Sequence, residues 1–257
     1  MALTPEEKNN LFRRIWSGVT NVFALPRDLY NDISNDLQRA LFRGYGGTLG
    51  DFDIESPDFR SLNVLNRNIF VFSAAKTFQQ VLDMQNFIFD ERGFIRNFND
   101  FKQDADVIFK QYNKEWLRTE FDTTIAQAQS ASKWTDIQKD KDVLPLLQYE
   151  TAGDDRVRPE HAEWDGIVRP VNDPFWDNHM PPNGFNCRCI VKQLEKGEKD
   201  TTSLTGVQQN DQKLFRMNPG KDMIVFKEEG HGRHPYFKVD KRFEVLKDNN
   251  FNLPLPE

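Results

Sequence analysis

The chain has 257 residues, 38% of them hydrophobic, with a formal net charge of −6 and a pI of about 5.4. That length can bury a real core in one large or two modest domains, and the acidic balance argues against a general duplex-DNA binder with a broad cationic face. No apolar run is long enough to span a membrane, the start lacks the basic and apolar regions of a signal peptide, and two cysteines one residue apart cannot staple a fold, so cytoplasmic synthesis is the expectation.

Phenylalanine supplies 22 residues, which concentrates the apolar content in large rings and points to packed helices with aromatic seams. Thr4 is a good N-cap ahead of Pro5, and Glu7 completes a capping box. The helix that starts there carries Leu11, Ile15 and Val19 as a stripe, with Phe12 and Trp16 beside it. A second helix is predicted from Pro26 to Arg43, with Leu29, Ile33, Leu37 and Leu41 at every fourth position. Gly44-Tyr45-Gly46-Gly47 ends it, since the cluster has neither the preceding strand nor the Gly-Lys-Ser/Thr of a phosphate loop. Residues 47–66 read as a connection, and Asn68 to about Asp90 as a third helix, apolar enough to be buried on more than one face. The longest predicted helix lies near 97–139. It shows Phe101, Ala105, Ile108, Tyr112, Ile125 and Ala128 on one face, with a break expected near Ser130-Ala131-Ser132.

After the charged Lys139-Asp140-Lys141-Asp142 the period changes. Leu144–Thr151, Gly166–Val171 and Cys189–Leu194 read as short strands. The predicted fold class is therefore α+β: an N-terminal helical, bundle-like region over 1–140, a small loop-rich α+β unit over 141–196, and a linker with a closing segment over 197–257. The polar stretch 196–213 is expected to be mobile or on the surface, Met223–Phe226 reads as a short strand, and the Leu-Pro-Leu-Pro-Glu tail is expected to fray.

The chemistry is concentrated between Tyr149 and Val191, where both cysteines and two of the four histidines lie among turn-forming and aromatic residues. Such a composition suits irregular backbone held by side-chain hydrogen bonds or by a metal. Cys187 and Cys189, with His161 and with His179 as a further candidate, offer soft ligands for zinc. On a strand, positions i and i+2 share a face, which permits joint coordination. The spacing is not the usual Cys-x-x-Cys, and two small buried apolar residues is the competing reading. Arg118, Glu120, Arg156, Arg158, His161 and Asp165 invite a nuclease-like or toxin-like enzyme. No nucleophile or second base sits at a telling spacing, so pairing of Glu120 with Arg156 or Arg158 as a structural joint is preferred. Trp164, Phe175 and Trp176 are expected to form a small aromatic core.

Thr151, Asp155-Arg156-Val157-Arg158, His161, Asp165-Gly166, Pro174-Phe175-Trp176, Pro181-Pro182 and Cys187-Arg188-Cys189, taken in that order, resemble the signature of the Mu F-like family, the minor head or head morphogenesis proteins of tailed bacteriophages. Trp116–Glu120 upstream, and Phe215–Gly220 with His234-Pro235-Tyr236 downstream, resemble its flanking elements. The resemblance thus runs from about Lys114 to Phe237. It implies a non-enzymatic structural protein of the virion, associated with the portal inside the capsid and made in the host cytoplasm. The implied partners are the portal protein and other head or scaffolding proteins, with a role in procapsid assembly and in DNA packaging or ejection. A capsid-interior DNA-binding module, resting on basic residues between Lys213 and Arg242, is the remaining alternative.

Overall fold

The computed structural model describes residues 3–196 and 207–256. Helix α1 (Pro5–Trp16) starts at the predicted box: the Glu7 N–H donates to Thr4 Oγ1 at 3.2 Å, and the Thr4 N–H donates to the Glu7 carboxylate at 2.8 Å. Leu11, Phe12 and Ile15 are fully buried, but the helix stops at Trp16, which leaves Val19 outside it and exposed. Helix α2 (Arg27–Tyr45) buries Leu29, Ile33, Leu37 and Leu41, as their spacing requires.

Helix α3 (Pro57–Gln85) begins well before the predicted Asn68. Ser56 Oγ accepts the Phe59 N–H at 3.0 Å and Pro57 occupies the first helical position, so part of the stretch expected to be a connection carries its own helix start. Every residue from Ser73 to Phe78 is fully buried. A run longer than one turn of about 3.6 residues leaves no face for solvent, so the helix is surrounded on all sides there.

Helix α4 (Phe98–Lys110), a wide π turn (Gln111–Trp116) and helix α5 (Leu117–Asp140) follow as one continuous helical path. Phe101, Ala105, Phe109 and Tyr112 are buried at helical spacing, and the next buried residues are Leu117 and Glu120. The wide turn absorbs that longer step and keeps one face inward. The break expected near Ser130–Ser132 does not occur, because Ser130 and Ala131 are packed inside α5. Just before them, α5 receives Gly44 of α2. A Cβ at Gly44 would stand 2.4 Å from the Ile125 carbonyl oxygen and 2.8 Å from Ala128 Cβ. Backbone cannot yield as a side chain can, so Gly44→Ala is expected to destabilise the protein by about 1–3 kcal/mol, measured as a shift of the urea midpoint at unchanged slope.

The chain forms two units. The first comprises Met1–Arg39, Asn66–Phe121 and Pro235–Glu257, and the second Ala40–Leu65 and Asp122–His234. In the first, Phe243 and Phe251 bring their rings to 5.2 and 4.8 Å from that of Phe78, Leu253 is buried, and Tyr30 Oη donates to the Pro254 carbonyl. The tail expected to fray is docked instead, because aromatic residues ahead of it reach the helical core.

In the second unit, strand β1 (Leu146–Glu150) lies between β2 (Val168–Pro170) and β3 (Ile190–Leu194), antiparallel to both. Alternation along β1 turns Leu147 and Tyr149 inward. They meet Trp164, Phe175, Trp176 and Val191, with Trp134 and Ile137 of α5, in one hydrophobic core. The run Met223–Phe226 is not a strand. Met223 takes a left-handed conformation (φ 52°) after a helical turn, and Val225 and Phe226 are buried from a loop. Most of the polar stretch 196–213, at 197–206, lies outside the described residues. Among those described, no helix is long and apolar enough to cross a membrane.

Candidate metal centre

Beyond Glu150 the chain leaves the sheet and returns at β2 through a loop that side chains hold shut. Asp165 Oδ1 accepts both the Thr151 N–H at 2.7 Å and the Thr151 hydroxyl at 2.9 Å. Gly166, at φ +76°, then turns the backbone so that its N–H donates to the Tyr149 carbonyl at 2.9 Å. Within this loop, the single turn α6 (Pro159–Ala162) presents His161. The imidazole is buried and stacks on Trp164 with centroids 5.0 Å apart and planes inclined by 23°.

The extended lead into β3 approaches from the other side with Cys187 and Cys189. His161 Nδ1 lies 3.8 Å from Cys187 Sγ and 3.6 Å from Cys189 Sγ, and the three ligand atoms lie within 4.8 Å of one another. His161 Nε2 is buried with no hydrogen-bond partner among the described residues. The hydrogen bond from Cys189, and then that from His161, pull the Cys187 thiol well below the usual thiol range, while Cys187 and burial push Cys189 up.

Arginines form the rim. Arg188 forks onto Asp154 with two bonds of 2.6 and 2.7 Å, and this holds the half-buried Asp154 carboxyl far below the usual range. Arg156 reaches the same carboxylate at 3.3 Å, and Arg158 donates to the Phe185 carbonyl at 2.7 Å. A narrow cleft of about 20 Å³, bordered by Arg156, Arg158 and Asn186, opens onto His161 and the cysteines.

Residues 75–192, just under half of the chain, match the family described as Phage Mu protein F like protein. The match takes in Lys76 with the last part of its helix, β1, β2 and the start of β3, and the whole histidine–cysteine cluster. Residues 75–192 are thus similar to the Mu F-like family. One similar relative is a candidate capsid assembly protein F of Escherichia phage Mu, 38% identical over 78 residues, which cover 30% of this chain and 18% of that protein. Another is the Mu-like prophage FluMu F protein of Haemophilus influenzae, 31% identical over 80 residues, or 31% of this chain and 19% of that protein. The aligned stretch thus spans about a fifth of the length of the curated relatives it matches. No solved structure matches this chain.

The match begins at residue 75, ahead of the Lys114 suggested by the sequence, and ends at 192, so Phe215–Gly220 and His234–Tyr236 fall outside it. Among the signature residues, Arg156, Arg158, His161, Asp165, Trp176, Cys187 and Cys189 lie in the second unit, whereas Arg118 and Glu120 belong to the first. Arg118 is exposed on α5. Glu120 does not pair with Arg156 or Arg158. It is buried, with Oε2 2.6 Å from Lys76 Nζ, and Tyr236 Oη donates to Oε1 at 2.9 Å. The physical reason is burial: an enclosed ammonium on α3 needs a carboxylate more than the exposed or carbonyl-bonded arginines do. Lys76 stood out in the sequence as the lone charge of an apolar run, a signal the pairing argument overlooked.

His179 lies outside the sulfur cluster. It stacks face to face on Phe175 at 4.1 Å, and its Nδ1 bonds the Phe175 carbonyl at 2.8 Å, so it is part of the aromatic core; burial lowers its pKa and keeps it neutral. Trp176 is buried and donates from Nε1 to the Pro170 carbonyl at 3.0 Å. Sequence reasoning passed over Asp154, which secures Arg188, and Asn183, which is fully buried and donates to Tyr149 Oη at 3.1 Å and to the His179 carbonyl at 3.0 Å.

Proposed function

We propose that this protein is a minor head protein of a tailed phage, a structural component that acts in procapsid assembly in association with the portal inside the capsid. The observation that carries the reading is the match over residues 75–192 to the Mu F-like family, with two relatives named for Mu F, one of them for capsid assembly. The relatives' names point to a structural role rather than catalysis. The disposition of the polar residues favours the same side, since Glu120 is committed to Lys76 and Tyr236, Asp154 to Arg188, and Asp165 to the turn at Thr151. In this reading the virion is the site of action, and the partners are the portal protein and other head proteins.

Contact with packaged DNA would fall to basic residues toward the C-terminus, two of which already have partners. Of the basic residues toward the C-terminus, Lys221 is paired with Asp177 at 2.5 Å, and Lys227 donates to the Arg216 carbonyl at 2.6 Å. The test is co-expression with the portal protein of the same phage, followed by size exclusion with light scattering. A complex of fixed stoichiometry that survives moderate salt is expected. Separate elution, together with nucleic-acid cleavage by the isolated protein, would replace the assembly reading with the enzymatic one.

A further inference from the structure

We propose that His161 Nδ1, Cys187 Sγ and Cys189 Sγ hold one zinc ion, which ties the α6 loop to the strand β3 and leaves the fourth coordination position to a water molecule in the arginine-rimmed cleft. Nothing in the comparisons assigns a metal to this fold, and the inference stands independently of the assembly role.

The geometry carries it. Zinc bonds of about 2.3 Å to sulfur and about 2.0–2.1 Å to nitrogen, at tetrahedral angles, put S and N about 3.6 Å apart and the two sulfurs about 3.8 Å apart. The observed Sγ–Nδ1 distances are 3.8 and 3.6 Å, and no two of the three ligand atoms are more than 4.8 Å apart. A set held only by S–H···N contacts has no reason to adopt the edges of a coordination tetrahedron, because a thiol is a weak donor and two of them compete for one nitrogen lone pair. A cation at the centre satisfies all three groups at once.

The chemistry of the donors agrees. Two thiolates and one imidazole select zinc over the harder divalent ions, and together they neutralise its charge. Nδ1 on the metal places the imidazole proton on Nε2, which meets no acceptor among the described residues, so the ring plane is set by stacking on Trp164. The cysteines arrive on one face of an extended segment, and the fork of Arg188 onto Asp154 anchors the residue between them to the loop that bears His161. The ligands are therefore oriented by contacts that do not involve the metal. Among the described residues no fourth histidine, cysteine or carboxylate joins the group, and the cleft beside it has room for about one water.

The chain contains only two cysteines, which makes the test unambiguous. The full chain, purified under reducing conditions with zinc supplied, is analysed for metal and then for thiol alkylation before and after chelation. About one zinc per chain is expected, with both thiols protected until the chelator removes the metal and both reactive afterwards. The cobalt-substituted protein is expected to show thiolate-to-metal charge-transfer absorption, weakened in Cys187→Ser and in Cys189→Ser, retained with weaker metal binding in His161→Ala and strengthened in His161→Cys, where a third sulfur replaces the imidazole. Metal-free protein with its helical circular dichroism intact would overturn the proposal. So would a stoichiometric metal whose removal leaves thiol reactivity unchanged. If the serine variants fail to fold, the alkylation readout on the unaltered chain still decides.

Discussion

Replacing Glu120 by Gln is expected to destabilise the protein by about 3–5 kcal/mol, because the change keeps the shape and removes the negative charge that pairs with a buried ammonium. Lys76 is fully enclosed on α3, with its Nζ 2.6 Å from the Glu120 carboxylate and 5.6 and 5.5 Å from the ring centroids of Tyr112 and Tyr236. Burial pushes the Lys76 pKa below its ordinary 10.5, and the Glu120 charge pulls it back up. Without that charge, Lys76 must fold as the neutral amine or remain an uncompensated cation. The sign of the pH effect follows. With the folded value depressed below the unfolded 10.5, the unfolded chain binds more protons between the two values, so the stability of Glu120→Gln rises with pH across that window and is lowest below it. Urea unfolding at several pH values reads both effects.

The double variant Lys76→Met with Glu120→Gln discriminates further. Gln can still accept from Tyr236, and Met fills much of the lysine volume without its charge, so most of the lost stability is expected to return. A coupling energy near zero in the cycle would show that the pair is not acting as a unit.

That pair also marks where sequence reasoning ends. Periodicity found α2 and β1 because each has one dominant face: Leu29, Ile33, Leu37 and Leu41 on α2, Leu147 and Tyr149 on β1. It located α3 but missed its start, since Ser56-Pro57 is a local signal set ahead of a weakly patterned first turn. The π turn could not be read from composition, because its evidence is a step between buried positions and burial is known only after folding. The candidate site was legible in the same partial way. The i, i+2 rule places Cys187 and Cys189 on one face of an extended segment, whereas the arrival of His161 beside them depends on the Thr151–Asp165 clasp and the turn at Gly166. Partner choice among charges proved least legible: Glu120 was matched to arginines by chemistry, and depth of burial gave it to a lysine.

Trp164→Ala is expected to cost about 3–5 kcal/mol and to empty the middle of the second unit. The indole is fully buried. It stands edge-on to Tyr149 at 5.7 Å and to His179 at 4.8 Å, and it stacks on His161 at 5.0 Å. Its Nε1 donates to the Gln208 carbonyl at 3.0 Å. Truncation therefore leaves a cavity, a Gln208 carbonyl that keeps its longer 3.4 Å contact with His179 Nε2, and an imidazole without its stacking partner. Trp164→Phe keeps an aromatic filler and loses chiefly the hydrogen bond, so a cost of about 1–3 kcal/mol is expected. Native-state hydrogen exchange locates the damage: amides of β1 and β3 should lose protection in Trp164→Ala while those of Ser73–Phe78 in α3 retain theirs. Equal loss throughout would mean that the sheet and the helices unfold as one cooperative body. Because the same ring orients His161, Trp164→Ala should also weaken zinc retention more than Trp164→Phe does. Equal retention in the two variants would show that the clasp between Thr151 and Asp165, rather than the indole, positions the imidazole.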